Sequence, residues 1–336
     1  MDLSIIIVNW NSARFTLQCV SSIYAQTHNL EFEVLVVDNG SYDGAAELVG
    51  EGFPQVRFIQ AGENLGFGRA NNLGFQNSCG RNVLFLNPDT EVICSALNRM
   101  VSFLDATPDA GLAGPRLLDS ERSLDINSVQ KFPSITNLTL DATYLRRRFP
   151  GWALWGTAPL YDDSSRPCEV EIVPGACLMI KRQVFERVGR FDPQYFMYVE
   201  DFDLCFQARE TGFKNYYLGD VAVIHHGGGS SQKRGGQGFS GPMMKESLFR
   251  FFKKTRGPLY AGLYRLATFL TAIIRIAVLG GLLPIRRDKD SLRYSLSKWY
   301  KILRWSMGLE PWAGRMGNTA ASPAGGEITA RAPLSK

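Results

Sequence analysis

Carboxylates that follow apolar runs are the groups in this chain best placed to do chemistry. In the stretch "NVLFLNPDTEV", residues 83–86 read as a strand covered on both faces, and Asn87, Asp89 and Glu91 come directly after it. A side chain leaving such a strand points into the crevice at the strand ends, where open α/β sheets bind ligands. Asp89 is the best candidate there for a hard cation, Mg²⁺ or Mn²⁺, with water and phosphate oxygens completing the shell. The alternative is a hydrated loop carboxylate.

A second acidic group stands in "YVEDFDLC", where Glu200, Asp201 and Asp203 fall within four positions at a helix start. The helix dipole alone favours acids in a first turn. Crowding beside Tyr198, Val199 and Phe202 also raises a carboxyl pKa, which suits a general base. His225 and His226 precede "GGGSS" at a strand end, either as ordinary strand-end histidines or as a metal or phosphate contact. Asn9 ends the first strand, and Asp38, Asn39, Gly40 and Ser41 end the second, followed by Asp43 and Gly44. These open onto the same crevice if the strands are parallel neighbours; a helix-capping turn is the plain alternative. "GENLGFGRANNLG" lacks the third glycine of a dinucleotide fingerprint, and no phosphate-binding GxxxxGK[ST] loop occurs. Arg69 and Asn72 in it suit a nucleotide's phosphate or ring edge.

The elements that must position these groups alternate through the first hundred residues: "LSIIIVNW", a helical pattern over 12–26, "FEVLVVDNGS", a short helix over 45–49, "VRFIQ", "GRANNLGFQNS" and "NVLFLNPDT". Such alternation predicts an α/β fold with a mainly parallel sheet flanked by helices and right-handed crossovers. Residues 116–170 are less regular and carry Arg146, Arg147, Arg148, Trp152, Trp155 and Tyr161, a composition suited to surface contacts. "VEIVPGACLMIKRQVFERVG" returns to strand and helix, and Gly212 ends the helix that "VEDFDLCFQARE" begins.

The chain of 336 residues is 45% hydrophobic and 21% charged, which is globular rather than disordered. Six cysteines without a CxxC pair and a start directly in a strand-like run predict reduced thiols and no secretory leader. The net charge of +5 is uneven. Residues 245–304 hold 14 Lys/Arg against 3 Asp/Glu, so the rest of the chain is net acidic. Basicity confined to one segment argues against nucleic acid as partner. Within that segment residues 259–283 are long and apolar enough to cross a bilayer, but Arg265, Thr268 and Arg275 share one helical face. An in-plane amphipathic helix is the favoured reading, with Lys253, Lys254, Arg256, Arg286 and Arg287 suited to an anionic membrane surface. Packing on the folded domain, or a true span, are the alternatives. Three regions are expected: a catalytic domain over 1–241, a basic, helical membrane-associating segment over 242–312 and a disordered tail over 313–336.

In chain order, "SIIIVNWN", "VVDNGSYDG", "NLGFGRANNLG", "LFLNPDT", "PGACLMIKR", "FMYVEDFDLC" and "HHGGGS" together resemble glycosyltransferase family 2, in particular its bacterial rhamnosyltransferase-like branch. The resemblance implies a GT-A-type, Rossmann-like fold and an inverting sugar transfer. Val8, Asn9, Asp38 and Asn39 would then hold nucleobase and ribose, and Asn64, Gly66, Arg69 and Asn72 would line the nucleotide pocket. Asn87 and Asp89 stand where the family has DxD; the Asn leaves Asp89 as main metal ligand, with His225 second and His226 in reserve. Asp201 would be the base, Glu200 its support, and Asp203 a helix-start or acceptor contact. The resemblance further implies a dTDP-L-rhamnose or UDP-sugar donor and a polyprenyl-linked glycan acceptor, with the enzyme on the cytoplasmic face of the cell membrane. "GACLMIKR", Tyr195, Phe196 and Tyr198 are candidates for the acceptor side or for core. A nucleotidyltransferase lacks its activating loop in "NWNSARFT", and a non-catalytic membrane-surface protein leaves the acids without a task.

Overall fold

The computed structural model describes residues 1–123, 131–140, 166–227, 239–284 and 289–318. Arg146–148, Trp152, Trp155, Tyr161, the glycine loop beyond Gly227, Arg286, Arg287 and the chain after 318 lie outside the described residues.

Nine strands among these residues form one mixed sheet. The strands β1 (Leu3–Asn9), β2 (Phe32–Asp38), β3 (Arg57–Gln60) and β4 (Asn82–Leu86) pair in parallel in the order β3-β2-β1-β4. This is the half in which the sequence alternates strand and helix. Beyond β4 the order continues through β8 (Cys177–Lys181), β6 (Ala110–Leu118), β9 (Lys214–His225) and β5 (Thr90–Val92). Here β8 runs antiparallel to both β4 and β6, and β5 and the short β7 (Cys168–Val170) run antiparallel to β9.

The continuous apolar strands are explained by burial on both faces. Leu3, Ile5 and Ile7 of β1 join Leu84 and Leu86 of β4 in a core with Val20 and Ile23 of α1 (Ala13–Gln26) and Leu97 and Met100 of α4 (Ala96–Ala106). Ile6 and Val8 turn the other way, to a core with Phe85, with Phe75 of α3 (Phe67–Gln76), and with residues of α6 (Arg182–Arg187) and α7 (Glu200–Glu210). The helix α2 (Ala45–Gly52) follows β2, and α5 (Ile135–Leu140) precedes β7.

The C-terminal part is helical. The helix α8 (Ser240–Leu282) is broken at Gly257, whose φ of 85° and ψ of 169° only glycine adopts without strain, and Pro258 follows. A third core joins Tyr195 and Val199 to Phe251 and Phe252 before the break and to Ala261, Tyr264 and Trp305 after it. Lys254, expected at lipid headgroups, instead bridges Asp192 and Asp203, each at 2.7 Å. After the break α8 pairs with α9 (Lys289–Ser306). Arg265 donates to the Ser306 and Trp305 carbonyls at 3.0 Å, and Arg275 lies over the Trp299 ring. The polar face read from the sequence is therefore turned to a partner helix rather than to water. Residues 313–318 of the expected tail belong to α10 (Pro311–Asn318), held by stacking of Trp312 on Phe239 and by Arg250 donating to the Gly314 carbonyl.

Lys254→Met leaves the nearly fully buried Asp203 without its cation, and the expected loss of stability is about 1–3 kcal/mol. Denaturant midpoints of Lys254→Met, Asp203→Asn and the double variant test this: the double variant should regain part of the loss, and strictly additive losses would contradict the bridge.

Candidate active site

The strand register brings the polar ends together. Asn9 stands opposite Asp38, and Ile7 opposite Leu86, so the carboxyl ends of β1, β2 and β4 open on one edge of the sheet. Asn9 is fully buried, and its amide group donates to Asp38 Oδ1 at 3.1 Å, Ser41 Oγ at 3.0 Å and Asp43 Oδ1 at 2.9 Å. Its oxygen accepts from Ser12 and Thr16. Burial raises the Asp38 pKa, but hydrogen bonds from Ser41, Gln60, the Tyr42 amide and Asn9 outweigh it and hold the carboxyl below its ordinary value. Ser12 and Thr16 carried no signal in the sequence beyond their place at a helix start.

The loop after β3 closes on this edge. Asn39 donates to Asn64 Oδ1 and accepts from the Leu65 amide, and Asn64 Oδ1 also accepts from the Gly66 amide. Gly66 has φ +82°, and a Cβ there would stand 2.1 Å from the Phe196 carbonyl oxygen, so the start of α3 can approach the 191–199 loop only with glycine. Arg69 and Asn72, read as pocket-lining groups, reach that same loop: Arg69 donates to the Pro193 carbonyl, while Asn72 both donates to the Phe191 carbonyl and accepts from its amide. Their polar groups join two backbone segments, a task the glycine pattern did not signal.

At the end of β4, Asp89 is nearly buried and its Oδ1 stands 3.4 Å from His225 Nε2, with Asn87 Nδ2 3.5 Å from the same nitrogen. Antiparallel pairing of Thr90 with His225 produces this meeting. His226 goes elsewhere, to Ser120 Oγ at 2.9 Å and Glu91 Oε2 at 3.4 Å, because neighbouring residues of a strand project to opposite sides. His226 is thus no substitute for His225, and Glu91 does not join Asp89. Among the described residues no three His, Cys, Asp or Glu side chains converge. One carboxylate and one imidazole nonetheless fit a divalent cation whose remaining positions are filled by phosphate oxygens and water.

The other acids lie close by in the fold. Asp201 accepts from the Gly175 amide at 2.8 Å and the Phe202 amide at 3.0 Å. The residue after Gly175, Ala176, accepts from the Asn87 amide, which links the Asp201 helix to the Asp89 turn through one dipeptide. Burial pushes the Asp201 carboxyl up, against those two amides. Glu200 is almost wholly buried, its Oε2 has no hydrogen-bond partner, and burial together with the Asp201 charge raises its pKa to about 8. Tyr198 and Val199 immediately before them have φ of +70° and +71°. For a β-branched residue this is a strained backbone, costing roughly 1–3 kcal/mol, of the kind that persists at functional sites. Asp203 is paired with Lys254 at 2.7 Å. Tyr195 is fully buried, Cys177–Lys181 is an interior strand, and Gly175 of "GACLMIKR" touches Asp201.

A doubly wound nucleotide half, an acidic strand-end turn and a buried acid pair on a helix start define a nucleotide-sugar-type α/β fold. The family model for glycosyl transferase family 2 matches residues 4–189, and the chain belongs to that family. It is 32% identical over 209 residues to the N-acetylglucosaminyl-diphospho-decaprenol L-rhamnosyltransferase of Mycobacterium tuberculosis, covering 57% of this chain and 66% of that protein. It is 27% identical to the low-salt glycan biosynthesis hexosyltransferase Agl10 of Haloferax volcanii, covering 66% of each. The aligned part thus spans just under two thirds of both relatives. Among solved structures, the mannosyltransferase PcManGT from Pyrobaculum calidifontis, in complex with GDP-Man and Mn²⁺, superposes with a TM-score of 0.58 over 91% of this chain and 86% of that one, at 17% identity. This establishes the GT-A fold.

The raised Glu200 carboxyl has a pH consequence. The folded state keeps a proton that the unfolded chain releases near its ordinary value, so stability falls as pH rises from about 4.5 to about 8. Glu200→Gln should flatten this decline. Calorimetric melting temperatures at pH 5, 6.5 and 8 test it, and identical slopes in both proteins would refute a protonated Glu200.

Proposed function

We propose that this protein is an inverting glycosyltransferase that moves a sugar, L-rhamnose from a dTDP donor, to a polyprenyl-linked glycan at an anionic membrane surface. The observation that carries the reading is the convergence of Asp89 and His225 with the Asp201 helix on one sheet edge, through Gly175, Ala176 and Asn87. The Mycobacterium relative supports L-rhamnose as the sugar and a polyprenyl-linked acceptor class.

In this reading the strand ends at Val8, Asn9, Asp38 and Asn39 receive the nucleobase and ribose, and Asn64 and Gly66 shape the turn beside them. Asp89 and His225 would hold Mg²⁺ or Mn²⁺ next to Asn87, and the cation would neutralise charge on the leaving diphosphate. Asp201 takes the proton of the acceptor hydroxyl as that oxygen attacks the anomeric carbon from the face opposite the diphosphate, which inverts its configuration. The two backbone amides on Asp201 fix its direction, and burial makes it a stronger base than a solvated aspartate. Glu200, kept neutral below it, leaves Asp201 as the ionised member of the pair. Residues 1–241 form the catalytic domain, and the helical segment over 242–312, packed on it, associates with the inner face of the cell membrane.

Titration calorimetry with dTDP and UDP, each with and without Mn²⁺, tests the donor. Metal-dependent dTDP binding that Asp89→Ala abolishes is the expected result, and a preference for UDP would overturn the rhamnose donor. Asp201→Asn should lower kcat by about 10²–10⁴-fold with nucleotide binding intact. A variant as active as the parent would remove Asp201 from the chemistry.

A further inference from the structure

The second half of α8 leaves one side of the molecule uncovered. Leu259, Leu263, Leu266, Leu270, Ile274 and Val278 are all exposed, Leu259 by 79% and Ile274 by 62%. Their spacing keeps them on one stripe of a helix, a ridge about 28 Å long. Scattered exposed leucines are ordinary on a soluble protein, but a continuous apolar ridge marks an interaction surface. The two charges within this helix half, Arg265 and Arg275, are turned away from the ridge and engaged by α9. Between Ser247 and Asp288 the sequence has eight basic residues and no acidic one.

We infer that this ridge is the membrane-docking face: the hairpin of α8 and α9 lies in the plane of an anionic bilayer, ridge downward, held mainly by apolar insertion. Lys253 and Arg256 are exposed at one end of the ridge, and Lys289 and Arg293 are exposed at the start of α9. Charge selects the occupant. Anionic headgroups complement these exposed cations, Lys253, Arg256, Lys289 and Arg293, whereas a second copy of the chain would bring the same cations against themselves. Crossing the bilayer would strip α9 from Arg265 and Arg275 and leave both guanidinium groups in hydrocarbon, while in-plane docking keeps both partnered. The inference deepens the membrane part of the function proposed above and rests on that reading only for why the enzyme needs a membrane. Docking itself requires neither donor nor turnover.

Flotation of the full-length protein with vesicles of phosphatidylcholine, and of phosphatidylcholine mixed with phosphatidylglycerol, tests it. The unaltered protein should float with both and more strongly with the anionic mixture. Leu266→Glu/Leu270→Glu/Ile274→Glu should lose at least ten-fold in partitioning to either vesicle, with its circular dichroism unchanged, and Lys253→Ser/Arg256→Ser should lose only the anionic advantage. Undiminished flotation of the triple variant would overturn the inference. So would a lipid-free dimer that the triple variant turns monomeric, or resistance of the bound protein to alkaline carbonate extraction, the mark of a span. Unfolding of the triple variant, or of the milder Leu266→Ser/Leu270→Ser, would also count against it, because a solvent-facing ridge tolerates polar replacement. An active enzyme that fails to float would defeat the docking face and leave the transferase reading standing.

Discussion

The in-register parallel pairing of β1 with β2 and β4 is the constraint from which the rest of the site follows. Side chains on a strand alternate between faces, so a slip of one residue would exchange the two cores and swing Asn9 and Asp38 out of alignment. The slip is prevented by apolar packing on both sides of the sheet, where Ile5 and Ile7 serve one core and Ile6 and Val8 the other. Polar positioning at the edge is therefore derived from apolar filling in the interior. Asn9 shows how tight the fit is: buried beyond reach of solvent, it finds protein partners for both its donor and its acceptor groups. Those partners come from the starts of β2's loop and α1, the segments that frame the crevice.

A second constraint acts on the acid helix. Two consecutive non-glycine residues with positive φ precede Glu200 and Asp201, and such a turn is stable only when its surroundings overdetermine it. The first half of α8 supplies that surrounding structure. Ser247 donates to the Met197 carbonyl, Arg250 to the Gln194 carbonyl, and Lys254 ties Asp192 to Asp203 across the turn. From the opposite side, the Phe67 amide donates to the Phe196 carbonyl beside Gly66. The 191–199 loop is thus clamped between α3 and α8 directly before the helix that carries Asp201.

This arrangement explains what could be read in the sequence. Strand ends were legible because burial on two faces leaves a continuous apolar run that stops abruptly at Asn9, Asp38 and Asn87. The acids of α7 were legible because carboxylates among aromatics are conspicuous. Arg265 and Arg275 were located correctly on one face, but a helical pattern states which residues share a side and not what covers it. A partner helix whose Trp305 and Ser306 lie 40 and 41 residues beyond Arg265 is invisible to it. Lys254 was misread for the same reason: its charge suggested lipid, while its partners Asp192 and Asp203 are more than fifty residues away in the chain. Arg69 and Asn72 lie where the family pattern locates a pocket, yet their hydrogen bonds to the 191–193 backbone arise from tertiary approach through Gly66. His225 could not be separated from His226 without the register that sets Thr90 opposite the former.

The Asn at position 87 carries the synthesis one step further. With one carboxylate and one imidazole, the Asp89 turn presents a single formal negative charge when His225 is neutral. Two protein ligands without help from a diphosphate make a weak cation site, but the same economy reduces repulsion of an incoming diphosphate. In the proposed reading each ligand supplies what the other lacks: the diphosphate completes the coordination shell, and the cation offsets the charge the turn would otherwise repel. Linkage then makes the coupling reciprocal, so that donor tightens metal by the factor by which metal tightens donor.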